Sequence, residues 1–273
     1  MNLLREPYSR NRQIMLGVVG VVGSMAVAEL LLRTVFTKPG LPVPPSKVLL
    51  GAVGLFGDPQ FWQAVGFTLV EWMLGLALAT VAGVLLGGAM GASRIVRIMF
   101  ELPVEAFRVL PSIALGPILV LLLGAGMLPL SITVALACVW PILLNTMYGV
   151  RGGADTTAIQ TARSFGVSEI GIVWRVTLPA ALPFAFTGVR IAASIGLIVA
   201  VSAELLIGSG TGIGGYILSN SANAANLDLV YAATLVAGVI GVLVSLAMAA
   251  LDNGLFGWKK GAGAVMTHPS PTG

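Results

Sequence analysis

Residues 155–183 read DTTAIQTARSFGVSEIGIVWRVTLPAALP, a polar and basic interlude in a chain that is otherwise almost entirely apolar. Asp155 can cap a short helix, and Gly166 can end it in the left-handed conformation that costs other residues more. Ser168 and Glu169 form a second start signal, and Pro179 stops the segment that follows. Ile159, Ala162 and Phe165 fall on one helical stripe, with Gln160, Arg163 and Ser164 away from it. The spacing predicts a helix-turn-helix lying on a membrane surface, with long apolar segments on both sides.

Composition supports the membrane. Of 273 residues, 57% are hydrophobic and only 10% charged, and the mean hydropathy is +0.97. So little polar surface cannot cover a water-soluble core of this size, so lipid must supply the outer solvent. The net charge of +4 sits beside apolar spans, which is the pattern of membrane orientation and not of nucleic-acid binding. Cys138 stands alone in an apolar run, which excludes an intrachain disulfide and a cysteine-based metal cluster. His268, in a Pro/Ser/Gly tail, is the one histidine and offers no metal site by itself.

Outward from the interlude, the expectation is an all-α integral membrane protein with six transmembrane helices. Residues 1–13 form a basic N-terminus, and 14–258 a single membrane domain carrying the 155–183 element. A tail occupies 259–273. Ile14–Leu32 is read as a retained first helix, the alternative being a leader cleaved near Ala26-Val27-Ala28. Residues 37–59 are rich in Pro and Gly and hold at most a short interfacial helix over Val48–Phe56. Further spans are expected at Phe67–Met90, at Leu110–Leu123 interrupted by Pro111 and Pro117, and up to Tyr148 with Pro141 inside. The last two are Thr187–Ile207 and Leu229–Leu251. Glu29, Glu71, Glu204 and Asp252 fall near the ends of these spans. The glycines of 208–216 mimic a phosphate loop, but no strand precedes them and no Lys-Ser/Thr follows, so a re-entrant turn is the better reading.

With both termini in the cytoplasm, Arg5, Arg10, Arg12, Arg94, Arg97, Arg108, Arg151, Arg163, Arg175, Arg190, Lys259 and Lys260 lie inside, and only Arg33, Lys38 and Lys47 outside. That bias places the 155–183 element in the cytoplasm. Nothing in the chain can hydrolyse ATP, since no Gly-x-x-x-x-Gly-Lys-Ser/Thr is present. The middles of the spans are Gly, Ala, Val and Leu, which suit close helix packing and movement driven from outside.

The interlude also resembles the cytoplasmic loop of permease subunits of bacterial ATP-driven importers: Glu-Ala-Ala, three residues, Gly, nine residues, Ile, one residue, Leu-Pro. Gln160, Thr161 and Ala162 take the first three places, Gly166 the glycine, Val176 the Ile, and Leu178 and Pro179 the end. Gln160 and Thr161 depart from the commonest residues. Ala162–Gly166, Leu178–Pro183 and Gly188-Val189-Arg190 resemble the nitrate/sulfonate/taurine type, as do the stretches starting at Arg108 and Trp140. Relatives of this type commonly carry a basic residue near Glu71, so no family role is carried over to it. The resemblance implies a type I ABC importer permease fold and a plasma-membrane location. It also implies an ATPase-coupling role for Gln160, Ala162, Arg163, Gly166, Leu178 and Pro179. The implied partners are a second copy of this chain, two ATP-binding subunits and an extracytoplasmic substrate-binding protein. No cofactor belongs to the chain itself; ATP and magnesium would sit on the partner ATPase.

Ser112, Asn145, Thr146, Ser194 and Ser202 are uncharged polar residues inside apolar spans. They are candidates to line a path for a small anion, because such donors bind it without trapping it. Bonding to their own helix backbone is the structural alternative. Two other classes compete with the permease reading. A stand-alone secondary carrier or channel would work without an ATPase, and a membrane-embedded enzyme would need a cluster of Asp, Glu, His or Cys that the sequence does not supply.

Overall fold

The computed structural model describes residues 10–34, 43–154, 156–207 and 210–256, and these are helical with short connections. Five helices are long and apolar enough to cross a membrane: α1 (Arg10–Thr34), α3 (Pro59–Ala92), α6 (Met127–Gly152), α9 (Leu178–Ile207) and α11 (Leu227–Phe256). A sixth crossing is made if α4 (Arg94–Arg108) and α5 (Ser112–Leu123) count together. They are bent by 92° at the break between them. Pro111 explains the break, since it lacks an amide proton and disfavours helix for the residue before it. The remaining helices are short: α2 (Pro45–Leu55), α7 (Thr156–Ser164), α8 (Glu169–Ile172) and α10 (Gly212–Ser221).

Local chemistry sets several of these boundaries. Asp58 starts α3 by accepting from the Gln60 amide at 2.9 Å, with Pro59 in the first turn, where its missing N–H costs nothing. The Tyr216 hydroxyl of α10 also donates to Asp58, at 2.8 Å. Together these donors hold the Asp58 carboxyl below the usual carboxylate range. Glu29 is a helix contact: it accepts from the Ser46 amide and hydroxyl and so ties α1 to the first turn of α2.

The centre of the bundle is α3, α6 and α9. Along the α3–α6 seam, Gly75 faces Val134, Gly83 faces Ile142 and Gly91 faces Val150, so the two helices run in the same direction. A Cβ at Gly83 would come within 2.9 Å of the Ile142 Cβ, so the seam depends on missing side chains. Against α6, α9 runs the opposite way, with Gly188 against Pro141 and Gly196 against Cys138. Trp72, Ala79, Val134, Cys138, Ile142, Ala192, Ala193 and Ala200 form this core. The Trp72 indole donates to the Ala193 carbonyl at 2.9 Å, and the Cys138 thiol to Ala192 at 3.3 Å.

Glu71 and Glu204 correct one reading of the sequence. Both are fully buried; Glu204 does lie near the end of α9, three residues before Ile207, but Glu71 does not lie near the end of α3. The reason is length: α3 begins at Pro59, eight positions before the expected span, so Glu71 lies three turns inside it. Residues 208–216 likewise include a structured part, since α10 begins at Gly212. Arg5, Lys38, Asp155, Lys259, Lys260 and His268 lie outside the described residues.

Candidate functional site

Two short helices at one end of the bundle, α7 and α8, make the element foreseen around Gly166. At the end of α7, the Gly166 amide donates to the Arg163 carbonyl (2.9 Å) and the Val167 amide to that of Ala162 (3.1 Å). This double closure needs a left-handed residue at the turn, and Gly166 has φ +75°. Ser168 then caps α8 by accepting from the Gly171 amide at 3.3 Å. Across the turn, Arg163 donates from Nε and Nη2 to the two Glu169 carboxylate oxygens at 2.9 and 3.1 Å. A wide π-type turn over Val173–Thr177 joins α8 to α9, with the Leu178 amide reaching back to Val173.

Of the residues expected to couple, Gln160, Arg163, Gly166 and Pro179 are exposed, while Ala162 and Leu178 are half-buried. Three side chains that sequence reasoning left without a coupling role stand out beside them. Phe165, Ile170 and Trp174 are 83%, 73% and 69% exposed. Their signal was legible as bulky apolar residues within an otherwise polar loop. Gln160, Arg163 and Glu169, on the same two short helices, are exposed as well.

The polar residues of the spans separate into two groups. Ser194 and Ser202, two turns apart on α9, line a groove of about 580 Å³ between α9 and α11, together with Thr234 and Ser245. Asn145 instead donates to the Pro141 carbonyl at 2.8 Å, and Thr146 to that of Ile142 at 2.7 Å, each within α6. Ser112 is half-buried at the start of α5, apart from both. At the end of the bundle opposite α7, a second hollow of about 320 Å³ is lined by Gln60, Gln63, Thr211, Gly212, Tyr216 and Ser219. Among the described residues, no group of three or more His, Cys, Asp or Glu is placed to hold a metal.

Comparison with known proteins follows the same lines. The sequence model of the family described as "Binding-protein-dependent transport system inner membrane component" matches residues 79–257. The chain is 30% identical over 257 residues to the taurine transport system permease protein TauC of Escherichia coli K12, covering 93% of this chain and 92% of that protein. It is 28% identical to the bicarbonate transport system permease protein CmpB of Synechococcus elongatus, over 71% of this chain and 68% of that one. Among solved structures, a chain of an inward-facing MetNI methionine ABC transporter shares the fold. The TM-score there is 0.54 at 18% identity, over 71% of this chain and 94% of the other.

Proposed function

We propose, from the premise that this chain belongs to the family of binding-protein-dependent transport system inner membrane components, that it carries a small anion of the taurine, sulfonate or nitrate kind into the cytoplasm. Family membership makes it a multi-pass plasma-membrane permease subunit of an ABC importer. The anion is the finer step. It is supported by the substrates in the relatives' names and by the hydroxyls of Ser194, Ser202, Thr234 and Ser245 along one groove. Such groups donate hydrogen bonds without a fixed positive charge to trap the ion.

The observation that carries the mechanism is the exposure of three bulky apolar side chains, Phe165, Ile170 and Trp174, on the short element built around the Gly166 turn. A short apolar-faced helix pair fits a groove in a partner protein. That partner is an ATP-binding subunit, which holds ATP and magnesium. Gln160, Ala162, Arg163, Gly166, Leu178 and Pro179 shape the docked surface or anchor it to α9. A second copy of this chain supplies a second element, so two ATPases closing on ATP draw the elements together and tilt the spans. Each pull on α7 and α8 reaches α9 through continuous helical backbone at Val173–Thr177. In this arrangement the α7 end and both termini are cytoplasmic, and an extracytoplasmic binding protein delivers substrate at the α10 end.

The test is co-purification of the ATPase with the tagged chain from gently solubilised membranes, comparing native protein with Gly166→Arg and Ile170→Asp. Both side chains point into open space or solvent, so the permease stays inserted and the ATPase is lost. Full retention by both variants, or no ATPase with the native chain, refutes the coupling reading.

A further inference from the structure

Two acids that coupling does not use meet beneath α10. Glu204 on α9 and Glu71 on α3 are fully buried, and each is the ionisable group that acts on the other. Their surroundings differ. Glu204 Oε1 accepts from the Thr68 hydroxyl at 2.7 Å, and Oε2 from the Gly214 amide at 2.8 Å. The Thr68 oxygen in turn accepts from the Ile213 amide at 2.9 Å. The first turn of α10 is therefore seated on the Glu204 carboxylate, and so closely that any Cβ at Gly212 would overlap it. Glu71, one turn along α3 from Thr68, has both oxygens buried with no donor reaching either.

No cationic side chain pairs with either acid among the ion pairs of the described residues. The packed elements offer none. From α10 comes Tyr216, engaged with Asp58 at the start of α3. From α6 comes Cys138, engaged with Ala192. On α11, Asp228 and Tyr231 lie toward this end, and Asp252 toward the other, where it pairs with Arg190 of α9. Basic residues of α4 sit beyond the opposite end of α3.

Two adjacent carboxylates without a counter-charge cannot both stay ionised in a water-free interior. Hydrogen bonds from donors favour the charged form, and Glu204 receives two while Glu71 receives none. We propose that Glu71 and Glu204 form a binding site for a single proton, carried on Glu71, and that this proton keeps α10 seated on α3 and α9. When it leaves to solvent, both acids are charged. Repulsion then pushes the Glu204 carboxylate away from Glu71, and the first turn of α10, bonded to it through Gly214 and through Thr68 and Ile213, is unseated with it. The hollow lined by Gln60, Gln63 and Thr211 shares Gly212 with the roof of the pair, and it is the route by which water reaches the site. Seating of α10 is thus linked to the pH on its side of the membrane, whatever substrate is carried.

The test uses the full chain in lipid bilayers. Infrared spectra of the native protein at neutral pH show the carbonyl band of a buried neutral carboxylic acid; Glu71→Gln abolishes it, and alkaline medium abolishes it in the native chain. In parallel, a cysteine at the buried Ile217 position of α10 (Ile217→Cys) reacts with a membrane-impermeant maleimide, and its rate relative to a free thiol at the same pH, which removes the effect of thiolate formation, rises several-fold on alkalinisation; this rise in relative rate is lost when Glu71→Gln is added. If Glu71→Gln does not insert, Glu71→Arg, which gives Glu204 a counter-charge, takes its place in both measurements. Absence of the band from the native chain, its survival in the Glu71 variant, its loss on adding sodium or potassium at constant pH, or a labelling rate that stays constant relative to the free thiol across pH each overturns the proposal.

Discussion

Two short helical interruptions separate the long spans at opposite ends of the bundle, and they solve opposite problems. At one end, α7 and α8 close on themselves through Gly166 and the Arg163–Glu169 pair, and leave Phe165, Ile170 and Trp174 facing outward. At the other, α10 faces inward. Ile213 and Ile217 join Phe61, Val65 and Ala232 in a core, and the helix start is bonded to Thr68 and Glu204. An element whose polar groups are satisfied internally while its apolar groups are exposed is built to meet something else. One whose polar and apolar groups are both satisfied by neighbouring spans is built to stay seated until those neighbours change.

The contrast predicts unequal responses to substitution. The largest is expected for Gly212→Val, which forces a side chain into a φ of +73° and onto the Glu204 carboxylate. Overpacking of this kind costs about 3 kcal/mol, so the variant yields little folded protein in a thermal-stability assay of detergent extracts. Thr68→Val comes next. It strands the Ile213 amide and removes a donor from Glu204, a loss of ~1–3 kcal/mol readable as a lower melting temperature. Gly166→Ala meets no neighbour within 4 Å, so only the left-handed strain remains, roughly 1–2 kcal/mol. That cost is local and shows as faster amide exchange in α7 with global melting unchanged. A global loss as large as that of Gly212→Val would erase the distinction between the two ends.

The smallest effect concerns Asp58. Its carboxyl is held below the usual range, first by the Tyr216 hydroxyl. A depressed folded-state value means that the contribution is present above the ordinary carboxylate pKa of about 3.9 and is lost as pH falls through the folded value. Tyr216→Phe therefore lowers the melting temperature slightly at neutral pH, and the difference from native narrows in acid. A difference that widens on acidification would contradict the assignment.

The α7 end was the more legible in sequence because everything that shapes it is local. The Gly166 turn and the Ser168 cap act within a few residues of one another, but Pro179 does not stop the segment as expected: it lies in the first turn of α9, where a proline is tolerated, and the helical path from Glu169 runs through it to Ile207. The short α2 was legible for the same reason, its Pro-rich approach placing a helix within three residues of where Pro45–Leu55 lies. The seat of α10 was not legible. Its partners Thr68 and Glu204 are 136 positions apart, and no periodicity within a single span tells which face meets which neighbour. For the same reason Ser194 and Ser202, two turns apart on one helix, could be placed on one face, while Asn145 and Thr146 gave no sign that their side chains turn back to their own backbone.

The same-direction packing of α3 and α6 has a consequence for how the protein is made. Two neighbours pointing the same way cannot be joined by a tight hairpin, so the polypeptide must return across the bilayer first, and the bent α4–α5 pair provides that return. During synthesis at about 5–20 residues per second, α3 therefore waits for seconds with its glycine face open to lipid before α6 arrives to close it. In that interval the nascent chain is at its most vulnerable to mispairing and quality-control proteolysis, and a side chain added at Gly83 or Gly91 would act there, before a finished transporter exists to be tested.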